Sequence, residues 1–102
     1  MIAPEAEARI ADAFEYIHRD SPATAARWLR GIYAKIKTLN ALPKRCAMAR
    51  EQAFYPEREL RQLIYHSHRV IFEVHEATAT VRVVYVRHAA ERTVGERIDD
   101  ET

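Results

Sequence analysis

Glycine is almost missing from this chain: Gly31 and Gly95 are the only two among 102 residues. A phosphate-cradling loop needs several glycines in one turn. Nucleotide folds built on such loops are therefore excluded. Cysteine is scarcer still. Cys46 stands alone, so no internal disulfide forms, which suits a reducing cytoplasm. No apolar run approaches the ~20 residues of a membrane span, and no cleavable leader pattern opens the chain. The five histidines have no Cys/His spacing of a zinc site, so no metal is expected, and no cofactor motif is present. What remains is 48% hydrophobic and 30% charged. That is too apolar for a disordered chain and the right length for one compact domain over residues 1–102.

The net charge of +1 conceals an uneven distribution. Residues 1–20 carry five acids against Arg9 and Arg19. Residues 21–50 carry Arg27, Arg30, Lys35, Lys37, Lys44, Arg45 and Arg50 with no acid at all. Residues 51–102 return to an acidic excess and end in Asp99-Asp100-Glu101; residues 93–102 read as a flexible acidic tail. A basic block of this kind suits an anionic partner.

Two helical stretches come first. Pro4 suits a first helical position, Glu5 and Glu7 favour the positive end of the helix dipole, and Ala6, Ile10, Ala13, Phe14 and Ile17 share one face over residues 4–19. Ser21-Pro22 reads as a cap and a restart. From 22 to 41 Ala25, Trp28, Leu29, Ile32, Ile36 and Leu39 form an apolar stripe, with Arg27, Arg30 and Lys37 on the other side. So short a break predicts an antiparallel helical hairpin. Residues 43–59 have no clear period, and are either functional or hide a short element. The period then becomes two. Residues 60–66, 69–75 and 79–88 are rich in β-branched and aromatic side chains and predict a three-stranded antiparallel meander. Val70, Phe72 and Val74 are expected to face the helices, and Arg69 and Glu73 the solvent. A short helix is possible after residue 89. The expected architecture is α+β, a helical hairpin on one face of a small sheet.

This order, with its spacing, resembles the RelE/ParE toxins of type II toxin–antitoxin pairs, which include plasmid stabilisation proteins. The matching pieces are Pro4-Glu5-Ala6, Ser21-Pro22-Ala23, Ala26-Arg27-Trp28-Leu29, Leu42-Pro43-Lys44-Arg45-Cys46, Glu59-Leu60-Arg61-Gln62-Leu63-Ile64-Tyr65, Arg69-Val70-Ile71-Phe72 and Val84-Tyr85-Val86-Arg87-His88. The family opens with a short strand, whereas only Met1-Ile2-Ala3 precede Pro4 here. The first strand is therefore expected to be short or missing, leaving one sheet edge unpaired.

The resemblance implies a cytoplasmic toxin neutralised by a cognate antitoxin in a hetero-oligomer, with growth inhibition through DNA gyrase (ParE-like) or through ribosome-dependent messenger cleavage (RelE-like). RelE-like cleavage uses sheet lysines and arginines with a late Tyr, and here no Tyr follows Tyr85. The ParE-like reading is therefore preferred. If the chain is a nuclease, His88 would be acid or base, with Arg61 and Arg69 against the developing charge. A remnant that only binds antitoxin is the third reading. As partner contacts the resemblance and the charge pattern single out Arg27, Arg30, Lys37, Arg61, Arg69 and Arg87. The basic block reads as one helix face meeting an acidic protein segment, rather than as a nucleic-acid arm.

Overall fold

The computed structural model describes residues 1–90. Helix α1 spans Pro4–Asp20 and α2 spans Pro22–Lys37. Ser21 serves both: its N–H donates to Ile17 O to close α1, and its Oγ accepts from Thr24 N at 3.2 Å to open α2. One residue thus turns the chain back on itself. Tyr33 Oη donates to Glu7 Oε1 at 2.6 Å across the hairpin. Burial of that hydroxyl, together with the hydrogen bond and charge of Glu7, pushes the Tyr33 pKa up to about 12.

Helix α2 ends four residues earlier than its apolar stripe predicts. Thr38 Oγ1 donates back to Lys35 O at 2.6 Å, and a short 3-10 turn, Thr38–Asn40, follows. The Arg45 guanidinium then gathers Ala41 O at 2.8 Å and Leu42 O at 3.1 Å. Leu42 O also accepts from Arg45 N at 3.1 Å in the next 3-10 turn, so side chain and backbone of Arg45 together close the segment.

The three strands are β1 (Leu60–Tyr65), β2 (His68–His75) and β3 (Thr80–His88), antiparallel in the order β1-β2-β3. The α+β architecture is as the periodicity predicts. With so few glycines, His66 and Ala79 take left-handed backbone (φ 53° and 54°) at the two hairpin turns. The register slips once, between Ile71 and Phe72, where β3 carries an extra residue. That bulge lets Val83 face the helices while Val84 packs on the opposite side.

The sheet is buried on both faces. Toward the helices, Val70, Phe72, Val83 and Val86 join Ala6, Ile10, Trp28 and Ile32, with Val74 partly buried beside them. Burying a side chain such as Phe72 contributes about 1.5–3 kcal/mol. Arg69 and Glu73 point away from the helices as expected, but not into solvent. Residues 46–59 cross that face as a strap. It contains the 3-10 turn Arg50–Phe54, and its Ala49 closes a second small core with Leu60, Ile71 and Val84. The aperiodic segment therefore does contain short elements: this turn, the turn Pro43–Arg45 and a single antiparallel bridge, Met48 to Arg61.

Both edges of the sheet are occupied. Along β1, Ala49 N donates to Leu60 O at 2.9 Å and Gln62 N to Ala47 O at 2.9 Å. Along β3, Val83 N donates to Met1 O at 2.9 Å and Ala3 N to Val83 O at 2.8 Å, a parallel bridge centred on Ile2. The expectation of an unpaired edge is thus corrected. Three residues suffice to reproduce the pairing around Val83, because α1 begins immediately afterward and its Arg9 Nε donates to Val86 O at 3.1 Å further along. The tail at 93–102 and the possible helix after residue 89 lie outside the described residues, apart from a turn at 89–90.

Tyr65 ties the end of β1 to α2. Its hydroxyl donates to Trp28 O at 3.2 Å and fills the space above Gly31. A Cβ at Gly31 would overlap that hydroxyl and lie 2.9 Å from Tyr65 Cζ. Replacing Gly31 with Ala should therefore destabilise the fold by about 1–3 kcal/mol, measured by urea denaturation. Adding Tyr65→Phe should recover part of that loss. Independent, additive effects of the two substitutions would contradict the contact.

Candidate functional site

Three regions stand out for their charged and titratable side chains. The first lies under the strap. Glu51 and Arg69 are both 0% exposed and Arg87 is 2% exposed. Arg69 grips the Glu51 carboxylate with both prongs, Nη1 to Oε1 at 3.1 Å and Nη2 to Oε2 at 2.9 Å. Arg87 Nε stands 3.3 Å from the same Oε2. Gln62 Oε1 accepts from Arg69 Nη1 at 2.9 Å, and the Arg87 guanidinium lies 4.9 Å from the Tyr85 ring centre. The register explains the convergence. Arg69 and Arg87 are direct cross-strand partners, so their like charges meet on one face. Glu51 lies between them and offsets the repulsion. Burial alone would raise the Glu51 pKa. The Arg69 hydrogen bonds, a backbone hydrogen bond and the charges of Arg69 and Arg87 outweigh it and hold the carboxyl below its ordinary value.

The second region is a cleft of about 420 Å³ at the same end of the sheet but on its helix-side face, between α1 and the β1–β2 turn. Arg9, Tyr16, His66, His68 and His88 line it, with Trp28 at its base. His68 and His88 are cross-strand partners with ring centres 5.3 Å apart, and the Trp28 ring lies 5.2 Å from His68. Ala90 N donates to His88 Nδ1 at 3.1 Å, so that nitrogen is an acceptor and a neutral ring carries its proton on Nε2. The third region is the outer face of α2, where Arg27, Arg30 and Lys37 are all exposed.

The nuclease set named from the sequence is not brought together. His88 shares the helix-side face with Val86 and Val70, because residues alternate across the pleat, while Arg69 lies on the strap side. Arg61 pairs with Phe72, four residues along β1 from the end where His68 and His88 sit, about 13 Å at the usual rise per residue. Arg61 is itself engaged, with Nε to Glu59 Oε2 at 2.8 Å and Nη1 to Cys46 O at 2.6 Å. Of the six cations named as partner contacts, only the three on α2 are exposed, and Arg27 Nη2 donates to Thr24 Oγ1 at 3.3 Å. Arg69 and Arg87 lie inside the strap-side cluster and do not reach the surface. Arg69 reads as facing solvent in the sequence because the segment that covers it has no period.

Glu51 is the residue the sequence reading missed. It lies in the aperiodic segment, 18 positions before Arg69, and no local spacing connects the two. His66, His68, Tyr16 and Arg9 were likewise not joined to His88. Among the described residues, no group of three or more His, Cys, Asp and Glu is placed to hold a metal. No helix among them is long and apolar enough to cross a membrane.

A carboxylate with a lowered pKa stabilises the fold above its unfolded-state value, and that contribution fades as pH falls through the folded-state value. Stability should therefore drop on acidification below the ordinary carboxylate range near pH 4.5. The Glu51→Gln variant should be less stable at pH 7 by about 3–5 kcal/mol, the cost of leaving buried guanidiniums without their counter-charge. It should also lose part of the acid dependence. Thermal denaturation across pH checks this. Parallel pH profiles for the two proteins would show that Glu51 does not carry the effect.

No curated protein matches the chain. Residues 1–93 match the family described as the ParE toxin of the type II toxin–antitoxin system parDE, and the chain therefore belongs to the ParE toxin family.

Proposed function

We infer that the protein inhibits growth by binding DNA gyrase, and that a cognate antitoxin neutralises it in a hetero-oligomeric complex. Membership of the ParE family over residues 1–93 is the observation that carries this reading. The separation of His88, Arg61 and Arg69 supports it against the alternative of a ribosome-dependent messenger endonuclease built on those three residues. Binding to gyrase needs a surface rather than a reacting centre.

The exposed basic face of α2 is the proposed docking surface. Arg27, Arg30 and Lys37 follow one another at helical spacing, and the first turn of α2 carries no acid. Exposed charges of this kind mainly govern the association rate and the choice of partner, and salt screens them. An acidic antitoxin segment has the matching chemistry. Arg61, Arg69 and Arg87 are left out of that surface because their side chains are engaged within the fold.

Purified protein added to gyrase and supercoiled plasmid should block supercoiling and raise the amount of cleaved DNA. Messenger fragmentation with intact chromosomes would overturn the gyrase reading, and an absence of toxicity would favour an antitoxin-binding remnant. His88→Ala should leave toxicity unchanged on the gyrase reading and abolish it on the nuclease one. Reversing all three charges (Arg27→Glu, Arg30→Glu, Lys37→Glu) should slow antitoxin association by about tenfold or more at low salt. Equal association rates would remove α2 from the interface.

A further inference from the structure

The charged cluster beneath the strap plays no part in a gyrase-binding surface, yet it has the chemistry of a binding site. We propose that Arg69 and Arg87 form a latent oxyanion site, occupied in the resting fold by the Glu51 carboxylate. It takes a phosphate-class tetrahedral anion when the turn Arg50–Phe54 moves aside.

Three observations carry this. The Arg69 fork meets Glu51 in the two-pronged geometry, 3.1 and 2.9 Å, that suits carboxylate and phosphate alike. Arg69 Nε, in a side chain that is 0% exposed, finds no acceptor among the described residues. A carboxylate has two oxygens and both already face Arg69. A tetrahedral oxyanion brings further oxygens to the same fork. Finally, the turn that holds Glu51 is anchored by polar contacts rather than by apolar burial, with Gln52 bonded to Leu60 N and Arg58 O. Within Arg50–Phe54 only Glu51 is buried, while Arg50, Ala53 and Phe54 are exposed and Gln52 is half-buried. Few apolar contacts oppose its opening.

The energetics point the same way. A buried ion cluster is a poor source of stability compared with apolar side chains of the same volume. Two arginines paired across strands and neutralised by a carboxylate from a separate segment make a geometry that an external oxyanion also fits. Gln62 accepts from Arg69 Nη1 and would keep the fork oriented after Glu51 leaves. Glu51 on this view is an internal stand-in for the external anion. The anion could come from free phosphate or from a phosphodiester backbone, and the chemistry of recognition is shared.

The test replaces the stand-in. Glu51→Ala empties the carboxylate position, and Glu51→Gln removes the charge while keeping the volume. Each full-length variant is titrated with inorganic phosphate against chloride at matched ionic strength, following the melting temperature. A second series uses a short single-stranded oligonucleotide. Phosphate should stabilise a variant saturably, with a half-point about tenfold or more below that of the intact chain. Adding Arg69→Gln should abolish the response. Stabilisation by the oligonucleotide alone would identify a phosphodiester as the ligand, and stabilisation by both a free oxyanion. Equal responses of variant and intact chain, a response that survives Arg69→Gln, or variants that neither anion stabilises or folds would each overturn the proposal.

Discussion

Two arginines stand opposite each other on adjacent strands, and a single carboxylate from elsewhere in the chain holds them together. The meander places Arg69 beside Arg87, an arrangement that repels unless an anion intervenes. Glu51 supplies the anion, and in doing so fastens residues 46–59 across a sheet face that would otherwise be open. The small core of Ala49, Leu60, Ile71 and Val84 lies beneath that strap. The pairing of residues 47–49 with β1 places the same segment along the sheet edge. Gln52 reinforces the attachment, since its Oε1 accepts from Leu60 N at 2.6 Å and its Nε2 donates to Arg58 O at 2.7 Å. Arg58 in turn grips Glu73 of β2 at 2.9 Å. The strap is therefore attached mainly by polar contacts, whereas the helical face is held by apolar burial.

This division gives the small sheet two different sides. Toward the helices, packing is dense and specific enough that the Tyr65 hydroxyl rests where any side chain at Gly31 would stand. Toward the strap, order depends on charges whose balance changes with protonation. Each edge is closed by a few backbone hydrogen bonds, from Met1 and Ala3 on one side and from Ala47 and Ala49 on the other. A three-stranded sheet with open edges would invite pairing with other chains. Here the edges are covered by short segments, without additional full strands.

For the toxin reading, the consequence is a separation of roles. The basic charge on α2 is exposed, whereas Arg61, Arg69 and Arg87 are committed to internal pairs. The histidine cleft is a third, independent feature. Its three imidazoles come from the β1–β2 turn and the strand ends beside it, because the hairpin geometry brings positions 66, 68 and 88 together.

Much of the fold was readable from residue order. The 3.6-residue stripes from Ala6 to Ile17 and from Ala25 to Ile36, the Ser21-Pro22 restart and the alternation from Leu60 onward each reflect local physics. Helix and strand periods, caps and turns act within a few residues, so one sequence reveals them. The chemistry of the matched segments carried the family as well. What tertiary structure alone decided was the fate of the arginines. Whether Arg69 and Arg87 face water or a carboxylate depends on Glu51, 18 and 36 positions away, in a segment with no period to place it. The register slip at Ile71 and Phe72, the closure of the β3 edge by Met1–Ala3 and the meeting of His68 with His88 depend equally on contacts between distant residues. A sequence determines such contacts only through the whole fold, because no local pattern encodes which buried charge will find which partner.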